Sequence, residues 1–382
     1  MGMEKLDPYL KYMADKGASD CYFTTGAPPA MRIEGDTHPV GKQRLEPGVA
    51  GQLAYSMMSQ AQQADFERDL ELNMAFTRPQ IGRFRVNIYR QRGEISFVIR
   101  HIKFDIPELS TLNLPEVLPD IVNQRKGLIL VVGSTGSGKS TTLASMLDYR
   151  NRTRSGHILT VEDPIEYMFR HQKSIVGQRE VGIDTHSFEN ALREAMREAP
   201  DVIMIGEVRD RASMEHAISY ADTGHLCLST LHAVNTYQAL DRIINMFPPE
   251  GQNQIFMDLS LNLKGVVSQR LVPTKKGARV PAVEVMLNSP YISELIRKGQ
   301  VHDIHEAVGK GARDGMQTFD QSLFELFKQG HIDLETALDH ADSRSDLEWR
   351  INFGGGIQSV ASKDKSGEDF EFPEQVDELP QE

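Results

Sequence analysis

The chain is short of cysteine, of long apolar runs and of positive charge. Only two cysteines occur, Cys21 and Cys227. They are far apart and in no ligand spacing, which speaks against a disulfide framework or a zinc module and suits a reducing cytoplasm. No apolar stretch reaches the roughly 18 residues needed to span a bilayer. The N-terminal MGMEKLDPYLKYM lacks the apolar core of a signal peptide, and Leu6 stands where a myristoylation signal requires Ser or Thr. The expectation is a cytoplasmic protein, not inserted in the membrane, that meets one only through a partner. Lys+Arg of 42 against Asp+Glu of 54 leaves a net charge of −12. That sign disfavours a large grip on phosphate backbones and counts against nucleic acid as a partner.

What is present is ordinary globular composition, 40% hydrophobic and 25% charged over 382 residues, long enough for two domains. Residues 20–102 hold short strand-like segments, DCYFTTG, AMRIEG, LNMAFT, GRFRVNIYR and EISFVIRHI, broken by Gly and Pro and by one helical stretch near 47–66. This predicts a small α+β domain over 1–106. The stretch FDIPELSTLNLPEVLP carries three prolines in sixteen residues. Each proline removes a donor and restricts its predecessor, so a linker is expected at 107–116. Beyond it strands and helices alternate: GLILVV, a helix from Lys139, HILTVE, FENALREAMREA, DVIMIGE, RASMEHAISYAD, HLCLSTL and VPAVEVML. That alternation predicts an α/β fold with a parallel-dominated sheet covered by helices over 117–356. After the triple glycine at 354–356 the composition changes; residues 363–382 carry eight acids against two lysines. Residues 357–382 read as an acidic tail that cannot bury enough to fold alone.

Residues 133–140 read Gly-Ser-Thr-Gly-Ser-Gly-Lys-Ser, the G-x-x-x-x-G-K-[ST] pattern, directly after the apolar run 128–132. Gly133, Gly136 and Gly138 let the backbone turn inward so that the N–H groups of the loop, with Ser134, Thr135 and Ser137 between them, face a polyphosphate. Lys139 supplies charge, Ser140 offers a hydroxyl to Mg²⁺, and a helix beginning here with Thr141 in its first turn aims its positive end at the phosphates. The pattern implies binding of ATP or GTP.

Three further groups surround that expectation. DVIMIGE ends an apolar strand in Glu207, placed to hold Mg²⁺ through water. HILTVEDPIEYM ends another in Glu162, Asp163 and Glu166, any of which can orient or deprotonate an attacking water. His225 and His232 bracket the strand LCLSTL at opposite ends, and either can sense a γ-phosphate by a hydrogen bond lost after hydrolysis. In GRFRVNIYRQRG, Arg83 and Arg85 share one strand face, either a solvated basic stripe or arginines supplied to a transferred phosphoryl group.

Taken together, GSTGSGKST, VEDPIEYM, IGEVRD and TGHLCLSTLHA, in this order and spacing, resemble the secretion ATPase superfamily, over about residues 11–355. KGASDCYFTTGAPPAMRIEG, SPYISELIRKGQ and MQTFDQSLFELFKQGHI are similar to the PilT/PilU family of type IV pilus retraction motors. RDRASMEHAISYADTGHLCLSTLHA and the tail look nearer the PilU branch. The resemblance implies a PAS-like N-terminal domain, a RecA-like P-loop domain, and a homo-hexameric ring that hydrolyses ATP with Mg²⁺. It implies that Lys139 and Ser140 serve phosphate and metal, and that Glu207 is the Walker B acid. It further implies that Glu166 is the catalytic glutamate, that His225 and His232 form a histidine box, and that Arg83 and Arg85 reach the nucleotide. The implied partners are an inner-membrane pilus platform protein and, for the PilU branch, a principal PilT-type retraction motor on which it depends. Two alternatives stay open: a nucleotide-binding accessory ring needing no turnover of its own, and a pilus-assembly or type II secretion ATPase.

Overall fold

The computed structural model describes residues 3–33, 35–102 and 105–353; the triple glycine and the acidic tail expected from the sequence lie outside the described residues. The N-terminal region is a six-stranded sheet built from β1 (Asp20–Phe23), β2 (Ala30–Ile33), β3 (Asp36–Pro39), β4 (Glu71–Arg78), β5 (Gly82–Gln91) and β6 (Glu94–Ile102), in the order β3-β2-β1-β6-β5-β4. Every pairing in it is antiparallel. Alternation decides its faces: Phe84, Val86 and Ile88 of β5 are fully buried, while Arg83 and Arg85 lie on the other side, as a period of two requires. Helix α1 (Asp7–Lys16) buries Leu10 and Met13 in the same core, where Phe23 and Phe97 stack at 4.6 Å.

The single helix expected near 47–66 is two, α2 (Val49–Met57) and α3 (Gln60–Asp69). The break comes from Ser59. Its hydroxyl accepts from the Gln62 N–H at 3.3 Å, and the Gln62 side chain accepts from the Ser59 N–H at 2.9 Å. This reciprocal cap satisfies two donors that a helix start otherwise leaves unpaired, and so starts a new helix.

The second sheet holds β7 (Gly127–Val132), β8 (Gly156–Glu162), β9 (Ser174–Glu180), β10 (Val202–Ile205), β11 (Leu226–Leu231), β12 (Leu263–Pro273) and β13 (Arg279–Leu287), in the order β13-β12-β7-β11-β10-β8-β9. From β12 to β9 all neighbours run parallel. Strands β7, β10 and β11 are buried throughout, because helices cover both faces. Leu128, Leu130 and Val132 pack toward α6 (Phe188–Ala195), α7 (Arg211–Asp222), α8 (Thr236–Asn245) and α9 (Pro249–Asn262), whereas Ile129 and Val131 pack toward α4 (Leu118–Val122) and α5 (Lys139–Thr153). After β7 the chain crosses three places to β8 and later returns with β11 beside β7. The carboxyl ends of these parallel strands therefore share one edge, where such sheets bind ligands.

Of the described residues, those up to Leu271 together with Val280–Thr318 form one compact unit, which also contains α10 (Pro290–Arg297) and α11 (Ile304–Lys310). The other unit consists of Val272–Arg279 and the residues from Phe319 on, with helices α12 (Phe319–Lys328), α13 (Leu334–Asp339) and α14 (Arg344–Phe353). No helix among the described residues is long and apolar enough to cross a membrane.

Candidate active site

The loop after β7 is shaped by what cannot be there. A Cβ on Gly133, at φ +154, would stand 2.4 Å from Ser137 Oγ and 2.5 Å from the Gln269 carbonyl; one on Gly138, at φ +90, would stand 2.7 Å from Gln269 Nε2. Gly133 is required on space, against a backbone carbonyl, and Gly138 chiefly on its left-handed backbone conformation. Gly138 ends the loop in the left-handed region and α5 begins at Lys139. The helix is braced from behind by Thr142, whose hydroxyl donates to Gln269 Oε1 at 2.7 Å.

Lys139 folds back over the loop it terminates, donating from Nζ to the carbonyls of Gly133 at 3.0 Å and Ser134 at 2.8 Å. Burial holds its ammonium below the ordinary lysine range, opposed by the charges of Glu207 and Glu166. The lysine sits among carbonyls, facing two acids, in a cavity whose walls also include Thr135, Gly136 and Ser140.

The two acids come from different elements. Glu207 follows β10 after Gly206, where an added Cβ would meet Glu162 Cα at 3.2 Å. Its carboxylate lies 3.1 Å from His232 Nε2 and accepts from Arg209 Nε at 2.8 Å, and Arg209 also stands 3.6 Å from Asp163. Glu166 is carried on the segment after β8, past the cis Asp163–Pro164 bond. His232 follows the last residue of β11, and Glu166, Glu207 and His232 all line the cavity that holds Lys139 and Ser140. Glu162 forms its floor. Burial pushes its carboxyl up to about 7, against hydrogen bonds from Thr160 and Gln178 and the backbone of Glu166.

The remaining candidates lie elsewhere. His225 precedes β11, with its Nδ1 3.2 Å from Thr223 Oγ1 and 3.3 Å from the Tyr220 carbonyl, and it is not part of the cavity lining. An extended strand separates it from His232, so the two histidines do not meet within one chain. Arg83 and Arg85 are also absent from the lining. Arg85 Nε stands 4.0 Å from Glu180 at the end of β9, and burial raises the Glu180 carboxyl despite both arginines. Within the phosphate loop, Ser137 is buried with its hydroxyl unpartnered, and Thr141 turns aside to the Tyr167 hydroxyl at 2.9 Å. Three residues that the sequence reading passed over matter here: Arg209, Tyr167 and Gln178. Arg209 sits two residues past Glu207 and Tyr167 one past Glu166, so adjacency was a usable signal for both. Gln178 lies on a polar edge strand with no such signal.

A phosphate-binding loop and two acids at the carboxyl edge of a parallel-dominated sheet define a P-loop ATPase. The pattern described as "Type II/IV secretion system protein" matches residues 4–321, and the chain belongs to that family as one of its PilT/PilU secretion ATPases. It is 50% identical to the type IV pilus ATPase PilU of Pseudomonas aeruginosa over 93% of this chain and 92% of that one. Against the pilus retraction ATPase PilT of the same organism the figures are 41%, 87% and 96%. Among solved structures, the pilus retraction motor PilT with bound ADP superposes with a TM-score of 0.83 at 43% identity, covering 89% of this chain and 98% of that one. The Legionella pneumophila ATPase DotB gives 0.76 at 27%, covering 88% and 95%.

Proposed function

We propose that this chain couples ATP hydrolysis to type IV pilus retraction and twitching motility. The observation that carries the reading is the convergence of Lys139, Ser140, Glu166, Glu207 and His232 on one cavity. In this reading the loop N–H groups and Lys139 bind the phosphates, Glu166 takes the proton of the attacking water, and His232 reports the γ-phosphate. The donor set fits Mg²⁺ held largely by phosphates and water: Ser140 and Glu207 offer two oxygen ligands, and no cluster of three or more His, Cys, Asp or Glu among the described residues could hold a metal alone. When bound, the metal neutralises charge on the phosphate oxygens.

The supporting likeness is to PilU and PilT, ATPases of the type IV pilus by name. In our reading residues 1–106 form a PAS-like arm, 107–116 the linker and 117–356 the RecA-like engine of a homo-hexamer. Its place is at the cytoplasmic face of the inner membrane, against a pilus platform protein. The higher identity to PilU favours an auxiliary motor that works beside a principal PilT-type one. Steady-state ATPase of Lys139→Ala and Glu166→Ala tests the chemistry; unchanged turnover in either refutes it. Twitching in strains carrying this protein, a PilT-type motor, both or neither, each with intact or Lys139-mutated sites, tests the role. Pili that vanish from the surface on loss of this protein would instead point to assembly.

A further inference from the structure

The segment 163–170, which carries Glu166, contains no helix and no extended strand, only a single bridge at Tyr167, so no continuous backbone ladder fixes where that carboxylate points. Side chains do. Gln178 stands on β9, the edge neighbour of β8, opposite Thr160 and on the same face as the buried Val176 and Glu180. Its Oε1 accepts from the Phe169 N–H at 2.9 Å. Its Nε2 donates to the Tyr167 carbonyl at 2.9 Å and to Glu162 Oε1 at 3.3 Å. The amide therefore grips the segment by one donor and one acceptor, two residues apart. Its orientation is fixed, because exchanging O and N would set N–H against N–H and carbonyl against carbonyl.

The grip reaches the site from two directions. Glu162, which takes the second amide proton, also accepts from Thr160 Oγ1 at 2.7 Å and faces the backbone N–H of Glu166. Tyr167, whose carbonyl is held, places its hydroxyl 2.9 Å from Thr141 Oγ1 at the start of α5. Gln178 itself is not part of the cavity lining. We propose that Gln178 is a positioning residue for hydrolysis: by holding residues 167 and 169 it fixes the carboxylate of Glu166 relative to the phosphate loop. This rests on the reading of Glu166 as the catalytic glutamate. The loop, Lys139 and Ser140 do not touch Gln178, so binding of nucleotide should survive its loss while the chemical step does not.

The test is steady-state ATPase of the full chain carrying Gln178→Ala and Gln178→Glu, each also combined with Glu166→Ala. Gln178→Glu keeps the size and the acceptor for Phe169 but loses the donors to Tyr167 and Glu162. The expected result is a kcat lowered by ~10- to 100-fold in both variants, with the KM for ATP within about twofold. In the Glu166→Ala background, adding either change should cost less than about twofold more, since the residue it positions is gone. Normal kcat in either variant, a raised KM with unchanged kcat, full additivity with Glu166→Ala, or failure of both variants to fold would each overturn the proposal. Unchanged turnover in Glu166→Ala alone would instead overturn the reading beneath it, which separates the two failures.

Discussion

His232 Nε2 lies 3.1 Å from one carboxylate oxygen of Glu207, and Arg209 Nε donates to the other at 2.8 Å. The two contacts differ in kind. His232 closes the end of a buried strand and stands in the cavity, whereas the Arg209 side chain is 55% exposed and competes with any cation for the same acid. Exposed ion pairs contribute about 0–1 kcal/mol. Arg209→Ala should therefore lower the Mg²⁺ concentration for half-maximal ATPase by up to about fivefold. His232→Ala should lower kcat by ~10- to 100-fold with little change in KM for ATP. A magnesium titration and a Michaelis series check both, and a weaker magnesium response in Arg209→Ala would show that the arginine supports the metal site instead of screening it.

Glu162 links pH to stability. Its carboxyl, buried under the cavity, is raised to about 7 from an ordinary 4.5. The folded chain then holds a proton that the unfolded chain has released. Stability from this group is fully present below the unfolded pKa and is lost as pH rises through the folded one. Between about pH 6 and pH 8 the loss is on the order of 1 kcal/mol. Denaturant midpoints across that window should fall for the parent chain and flatten in Glu162→Gln. A slope unaltered by the substitution would assign the pH dependence to other groups.

Gly138 offers a steric test. A methyl there meets Gln269 Nε2 at 2.7 Å and the backbone is at φ +90. Gly138→Ala should weaken ATP binding by at least ~10-fold, through displaced loop N–H groups. Gln269→Ala, which removes only the nearby amide, should not restore binding in the double variant, because the left-handed backbone remains strained. Full restoration would place the whole cost in the clash.

Much of this site was legible beforehand because its chemistry is written locally. Residues 133–141 form a contiguous loop and helix start, and Glu207, one glycine past β10, and His232, next after β11, each close an apolar strand that is plain in the sequence. The sheet's alternation was legible for the same reason. What was not legible depends on contacts across the fold. Strand β9 reads SIVGQRE, with a central glycine and a charged carboxyl end, and its Ile175 is 66% exposed; nothing in it has the apolar signature of the other parallel strands. The split of α2 from α3 turned on one reciprocal bond between Ser59 and Gln62. The placing of His225 and His232 at opposite ends of a strand was legible from their spacing; only the family resemblance joined them as a histidine box.

Arg85 and Glu180 supply the last test. Glu180 is only 1% exposed, no side chain hydrogen-bonds its carboxylate, which only the Ile165 backbone N–H faces, and Arg85 Nε reaches no nearer than 4.0 Å. A buried acid so poorly paired costs more as a charge than it returns, and burial raises its carboxyl accordingly. Glu180→Gln, which keeps the shape and removes the charge, should leave stability unchanged or raise it by about 1 kcal/mol above neutral pH. Arg85→Ala acts on the other partner. If Arg85 serves only Glu180, its loss should destabilise the chain and leave ATPase untouched. If it also reaches nucleotide once the ring assembles, kcat should fall by ~10-fold or more, and Glu180→Gln should not share that loss. Melting curves and ATPase on both variants separate the outcomes: a kcat deficit common to both would make the pair a structural tie, and one confined to Arg85→Ala would make the arginine part of the catalytic assembly.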